Sequence, residues 1–133
     1  MTAPAEHLTR DHDVTLIDMV AYSGATWDWH RMHYDADWAR AAGFPGPVLD
    51  GQQLGAWLAA LVQEATGAEW RLAEMAFRFA HTVHPGDVVR CAVRCSGNDE
   101  AELRYELTAN VVGDDGEVRY PALSGASARL VRR

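Results

Sequence analysis

The two halves of the chain carry different hydrophobic rhythms. Between residues 51 and 66, Leu54, Trp57, Leu58, Leu61, Val62 and Ala65 recur at i, i+3, i+4 and i+7, and Ala56, Ala59 and Ala60 fill the other faces. That spacing predicts a helix, slightly weakened at Gly55 and capped by Gly67. A helix apolar on more than one side belongs largely enclosed within a fold. Beyond residue 70 the period shortens: Leu103, Tyr105 and Leu107 alternate with Arg104, Glu106 and Thr108, the two-residue repeat of a half-buried strand. Turn signals at Pro85-Gly86, Gly97-Asn98-Asp99 and Asp114-Asp115-Gly116 divide this half into strands over 70–83, 87–95, 101–112 and 118–131. Strands in series read as an antiparallel meander over about 70–131. One buried helix followed by a meander predicts an α+β plan, with the sheet wrapped around the helix.

The first fifty residues are less regular. Thr15 and Asp18 stand in capping-box spacing ahead of Met19, Val20 and Tyr22, which predicts a short helix over 15–23 that stops at Ser23-Gly24. Asp35 is placed to cap a second short helix from Ala36 to Ala42, ended by Gly43. Gly43-Phe44-Pro45-Gly46-Pro47 is a turn by composition. Between the two helices lies a non-helical stretch in which Asp28, His30, Arg31 and His33 alternate with Trp27, Trp29 and Tyr34.

Composition narrows the choices. With 133 residues and 48% hydrophobic side chains, one domain spanning 1–133 is expected, with a core that needs no staples. The net charge is −7, and all 12 cations are Arg. An acidic chain with no basic block is a poor partner for nucleic acid or an anionic membrane surface. No apolar run approaches a membrane span, and the N-terminus lacks a signal pattern, so a cytoplasmic location is expected. Cys91 and Cys95 are four apart in a strand-like run, which puts them on one face but too far apart for a comfortable bridge. They are expected as reduced thiols and match no zinc pattern.

Asp28 and His33 are the chemical candidates. A carboxylate and an imidazole that reach one water molecule can take its proton and give it back. Such a pair in a loop is, on its own, more often structural or merely exposed. Asp50-Gly51 opens the long helix, where unpaired backbone N–H groups form a site for a developing oxyanion. Gly51 has no side chain to obstruct an approaching carbonyl. Asp50 reads as the helix N-cap, and both readings can hold together.

These residues carry a family resemblance. Ser23-Gly24, then Asp28-x4-His33-x-Asp35, Ala39-x3-Gly43-Phe44, a proline-containing turn and Gly51 before a long apolar helix resemble the MaoC-like acyl-thioester hydratases and dehydratases. The likeness covers about residues 15–66 by motif. It implies a hot-dog fold and reversible syn addition of water to a 2-enoyl-CoA or carrier-bound enoyl thioester. It further implies Asp28 and His33 as the catalytic pair, Gly51 as the amide that polarises the thioester carbonyl, and no metal or redox cofactor. The chain departs from the pattern where His30-Arg31 replaces Asn-Pro, where Asp50 replaces the His before Gly51, and where Ala59 and Ala60 offer no hydroxyl. His30 is either a third polar group in the cleft or a bonded surface residue. Trp27, Trp29, Tyr34 and Trp57 line an acyl tunnel or belong to the core. Arg31 and Arg40 meet CoA phosphates or are ordinary surface residues.

The resemblance also implies a homodimer, or a heteromer with another hot-dog subunit. Its rivals are a non-catalytic acyl-thioester-binding or partner subunit, a dehydratase or cyclase acting on a carrier-bound polyketide, and a thioesterase. For the thioesterase, Glu64 is the one inward carboxylate expected on the helix. His81 and His84, three apart on the first long strand, are expected to face opposite sides.

Overall fold

A computed structural model describes residues 2–133. The elements run β1 (His7–Asp13), α1 (Leu16–Thr26), a 3-10 turn (Arg31–His33), α2 (Ala36–Ala41), α3 (Gly51–Thr66), β2 (Trp70–Phe79), β3 (Val88–Asn98), β4 (Glu102–Val112), β5 (Val118–Pro121) and β6 (Leu123–Arg132). The sheet order is β1-β3-β4-β6-β2, with β5 paired to β4, and every pairing is antiparallel.

The central helix runs as its periodicity predicts. Asp50 caps it by accepting from the Gln52 amide at 2.9 Å. Its Leu54, Leu58, Leu61, Val62 and Ala65 are buried against Val89, Val93, Leu103, Tyr105, Leu107 and Leu130 of the sheet. On β4, Leu103, Tyr105, Leu107 and Ala109 point inward and Arg104, Glu106 and Thr108 outward, so a one-residue register slip would expose the whole apolar set. The helix is less enclosed than its composition predicts: Gln52, Ala56, Ala60 and Glu64 form an exposed stripe at four-residue spacing.

The strand half is not a simple meander. β3, β4 and β6 are neighbours, but β2 lies on the far edge beside β6 and does not pair with β3. The connection 80–87 therefore crosses the fold, anchored where Leu49 N–H donates to the Val83 carbonyl at 2.8 Å and Val14 N–H to the Asp87 carbonyl at 2.9 Å. A sheet that curls around a helix must carry its chain across one end of that helix, and here the crossing passes near the start of α3. The last predicted strand is two, β5 and β6, divided after Pro121, which has no N–H for the ladder. The strand predicted over 70–83 ends at Phe79, so His81 and His84 sit in the crossing rather than on a strand. β1, which the pattern did not predict, pairs with β3.

Helix α1 passes through Ser23-Gly24 and ends at Thr26, with Trp27 in the left-handed region at φ 59°. Its Thr15 cap forms as predicted, with Oγ1 accepting from the Asp18 amide. Asp35 caps α2 by accepting from the Trp38 amide. Cys91 is buried, Cys95 is partly buried, and both are free thiols. Among the described residues no helix is long and apolar enough to cross a membrane.

Candidate active site

The segment after α1 is short and tightly turned, and that turn aims His33. His30 starts the 3-10 turn by accepting from the Met32 amide through Nδ1 at 3.1 Å. The Met32 carbonyl accepts from the Val48 amide at 2.7 Å, tying the turn to the strand-like run that leads into α3. His33 is 8% exposed. Its Nδ1 lies 2.7 Å from the Val48 carbonyl. A carbonyl can only accept, so Nδ1 carries a proton, and in the neutral imidazole Nε2 presents a lone pair.

Two carboxylates face that lone pair. Asp28 Oδ2 lies 3.6 Å from His33 Nε2, and Asp50 Oδ2 lies 4.0 Å from it. Each carboxylate is held by its other oxygen: Asp28 Oδ1 accepts from the His30 amide at 3.3 Å, and Asp50 Oδ1 from the Gln52 amide. Asp28 is half exposed, whereas Asp50 is buried. Tyr22 of α1 completes the polar group. Burial first, and the charges of Asp50 and Asp28 after it, push its phenol above the ordinary range.

A cavity of about 360 Å³ opens beside these groups. Met32, His33, Asp50, Gly51 and Leu54 line one side, and Phe79 with the crossing residues His81, Thr82 and Val83 lines the other. Gly51 is the first residue of α3. Its amide has no partner among the described residues, while the Gln52 and Gln53 amides are taken by Asp50. The Phe79 ring lies against it so closely that a Cβ on Gly51 would sit 2.1 Å from that ring. Phe77 covers Gly55 in the same way, one turn along. The two glycines let β2 lay its aromatic rings directly on the helix backbone.

His33 and Gly51 therefore line the cavity, and Asp28 stands outside its lining with its carboxylate 3.6 Å from His33 Nε2. Trp27, Trp29, His30, Arg31, Tyr34, Arg40, Trp57, Glu64 and His84 lie outside the lining, whereas His81 is part of it. Trp27 is 80% exposed, and Trp29 packs edge-on between Trp27 and Tyr34. The Tyr34 hydroxyl donates to the Trp29 carbonyl. His30 meets Trp38 edge to face. Trp57 stacks on His12 of β1 at 4.2 Å, on another side of α3. Arg31 pairs with Asp35 at 2.8 Å and Arg40 with Asp37 at 3.8 Å, both exposed. Glu64, expected inward, instead points out and bonds Arg10 of β1; it falls on the exposed stripe of α3. His81 Nδ1–H donates to the Pro121 carbonyl at 2.9 Å and His84 Nδ1–H to the Pro47 carbonyl at 2.8 Å, which anchors the crossing. The sequence reading missed Tyr22, Phe79, Thr82 and Val83, whose role depends on the crossing and on the packing of α1.

An antiparallel sheet wrapped around one long helix, with a polar cluster at the helix N-terminus, defines a hot-dog fold with a ligand cleft. Residues 2–115 match the MaoC like domain model, and the chain belongs to that family. It is 29% identical over 120 residues to the mouse (Mus musculus) peroxisomal multifunctional enzyme type 2, covering 88% of this chain but 16% of that protein. Its fold resembles the (R)-hydratase from A. caviae involved in PHA biosynthesis, at TM-score 0.82 and 17% identity over 99% of this chain and 98% of that one. It also resembles a chain of the ChsH1-ChsH2 complex from Mycobacterium tuberculosis, at TM-score 0.83 and 16% identity over the whole of both chains.

Proposed function

We propose that this chain hydrates and dehydrates acyl thioesters, adding water reversibly across the double bond of a 2-enoyl-CoA or carrier-bound enoyl group. The observation that carries this reading is the convergence of Asp28 Oδ2 and the bare Nε2 of His33, 3.6 Å apart, beside the unpartnered Gly51 amide. A water seated across the two groups can donate to both.

The chemistry follows from the geometry. Water donates to Asp28 and His33, and one of them takes its proton as the oxygen bonds to C3. The C2=C3 electron pair moves toward the thioester carbonyl, whose oxygen gains negative charge. The Gly51 N–H, at the positive end of α3, stabilises that charge. The same pair returns a proton to C2 from the side the water came from, so addition is syn. No electrons leave the substrate, so the step calls for no redox group, and proton transfer and enolate stabilisation are both supplied by the chain.

Edge strands β1 and β2 leave one row of backbone groups unpaired, and Phe79 of β2 is 64% exposed at the cavity. We place a subunit boundary there, in a homodimer or a heteromer with another hot-dog chain acting in the cytoplasm. One observation favours a second reading, a non-catalytic acyl-thioester-binding subunit: the carboxylate of Asp50 stands next to the amide that would hold an oxyanion. The test is incubation of the purified chain with crotonyl-CoA and longer 2-enoyl-CoAs, followed by loss of enoyl absorbance. Hydration supports the first reading. CoA binding without hydration of any enoyl thioester supports the second.

A further inference from the structure

The pair used for hydration does not account for Asp50. Among the described residues, Asp28, His33 and Asp50 form the one trio of such side chains whose ligand atoms all lie within 4.8 Å of one another. Three features make it more than an acidic cluster. His33 is buried, and its Nε2 has no hydrogen bond yet is aimed at both carboxylates. Its Nδ1–H is held by the Val48 carbonyl, the outer contact that fixes a metal-ligating imidazole in the right tautomer. Each carboxylate is tethered through Oδ1 and offers Oδ2 inward. Among the described residues the cavity lining contains no Arg, the chain contains no Lys, and Arg31 is paired with Asp35.

We infer that Asp28, His33 and Asp50 bind a first-row divalent cation, with Zn²⁺ as the type, and that the bound ion shuts off hydration. One imidazole nitrogen and two carboxylate oxygens are a donor set for Zn²⁺ rather than for Mg²⁺ or Ca²⁺, which prefer oxygen alone. Ligand bonds of about 2.0–2.2 Å in a tetrahedral site put donors roughly 3.3 Å apart. The His33–Asp28 separation of 3.6 Å is close to this, and half-exposed Asp28 is free to adjust, whereas the 4.0 Å between His33 and Asp50 must close through a small turn of the Asp50 carboxylate. An ion held there occupies the lone pair of His33 and the free oxygen of Asp28, the two atoms that would hold water. Binding stands independently of the proposed function; only the inhibition rests on it.

The test uses the whole purified chain. Titration calorimetry with ZnCl₂ should show one site per chain, with MgCl₂ giving no comparable heat. Co²⁺ should give a visible ligand-field absorption without a thiolate charge-transfer band. Asp50→Asn keeps the helix cap, because Asn caps as well as Asp, and should weaken Zn²⁺ at least tenfold with an unchanged circular dichroism spectrum. Asp28→Asn, at an exposed position, should do the same. Zn²⁺ should suppress hydration of crotonyl-CoA, and a chelator should restore it. Absence of Zn²⁺ heat and Co²⁺ absorption in the folded chain overturns the inference, as does undiminished binding in either variant. Zn²⁺ binding at the trio in a chain that hydrates nothing upholds the site and removes the proposed function. Hydration without Zn²⁺ binding does the reverse.

Discussion

Replacing Gly51 by Ala puts a methyl group where the Phe79 ring now lies, 2.1 Å from its nearest atom. The ring must move, and it can, because Phe79 is 64% exposed. Full burial of a Phe side chain contributes about 1.5–3 kcal/mol, so displacing the covered third of this one costs at most about 1 kcal/mol. Gly51 opens α3, so replacing it returns only part of the roughly 1 kcal/mol that an interior glycine costs. The two effects partly cancel, and the melting temperature should move by no more than about 4 °C. Activity should respond very differently. The methyl stands beside the amide that the thioester oxygen must approach to about 3 Å, and losing one such donor costs about 10²–10³ in kcat, or about 2.7–4 kcal/mol. The assay is kcat and KM for crotonyl-CoA hydration alongside thermal melting. In a Phe79→Ala background, adding Gly51→Ala should cost the same factor, because the defect lies at the amide. Full activity in Gly51→Ala would refute the oxyanion assignment. Rescue in the double variant would trace the loss to the displaced ring instead.

Other substitutions test the fold around the site. Leu58 is fully buried at the middle of α3, so Leu58→Ala should cost about 3–5 kcal/mol, read as a fall of roughly 10 °C or more in Tm. The amides of α2, Trp38 first, and then the guanidinium of Arg31 hold the Asp35 carboxyl below its ordinary value of 3.8. A depressed carboxyl contributes stability above its unfolded value and loses it as pH falls through the folded one. Asp35→Asn should therefore lose less stability than the parent chain between about pH 5 and pH 2, measured by urea unfolding; parallel acid limbs would contradict this. Burial, aided by Asp11, pushes the Cys91 thiol up to about 12. Iodoacetamide at neutral pH should label Cys95 in the folded chain and reach Cys91 only in denaturant; labelling of both in the native state would contradict the packing.

How much of this was legible in the sequence depended on how local the cause was. Helix α3 begins and ends where Asp50 and Gly67 predict, because capping and i, i+4 burial are local. β4 was equally plain, since one face must be apolar wherever it lies. β1 escaped notice because its seven residues include one large apolar side chain, Leu8; it is a strand by virtue of β3 beside it. The place of β2 at the far edge follows from long-range pairing, which no turn signal encodes. The same divide runs through the site. The spacing of Asp28 and His33 and the position of Gly51 mark a polar cluster near a helix start. Asp50 was legible as a cap, but its approach to His33 depends on how the 3-10 turn docks on Val48. Phe79, Thr82 and Val83 reach the cavity only because the crossing passes that end of α3. The aromatic run Trp27, Trp29 and Tyr34 packs mainly upon itself, away from the cavity.

The proposed function has Asp28 and His33 together add water to an enoyl thioester. Its most direct test is kcat/KM for 2-enoyl-CoA hydration in the parent chain, Asp28→Asn and His33→Ala, with folding checked by circular dichroism. Each variant should lose at least about 10²-fold, mostly in kcat, because the pair acts on the reacting water rather than on the bound CoA. Turnover unchanged in both variants would contradict the account.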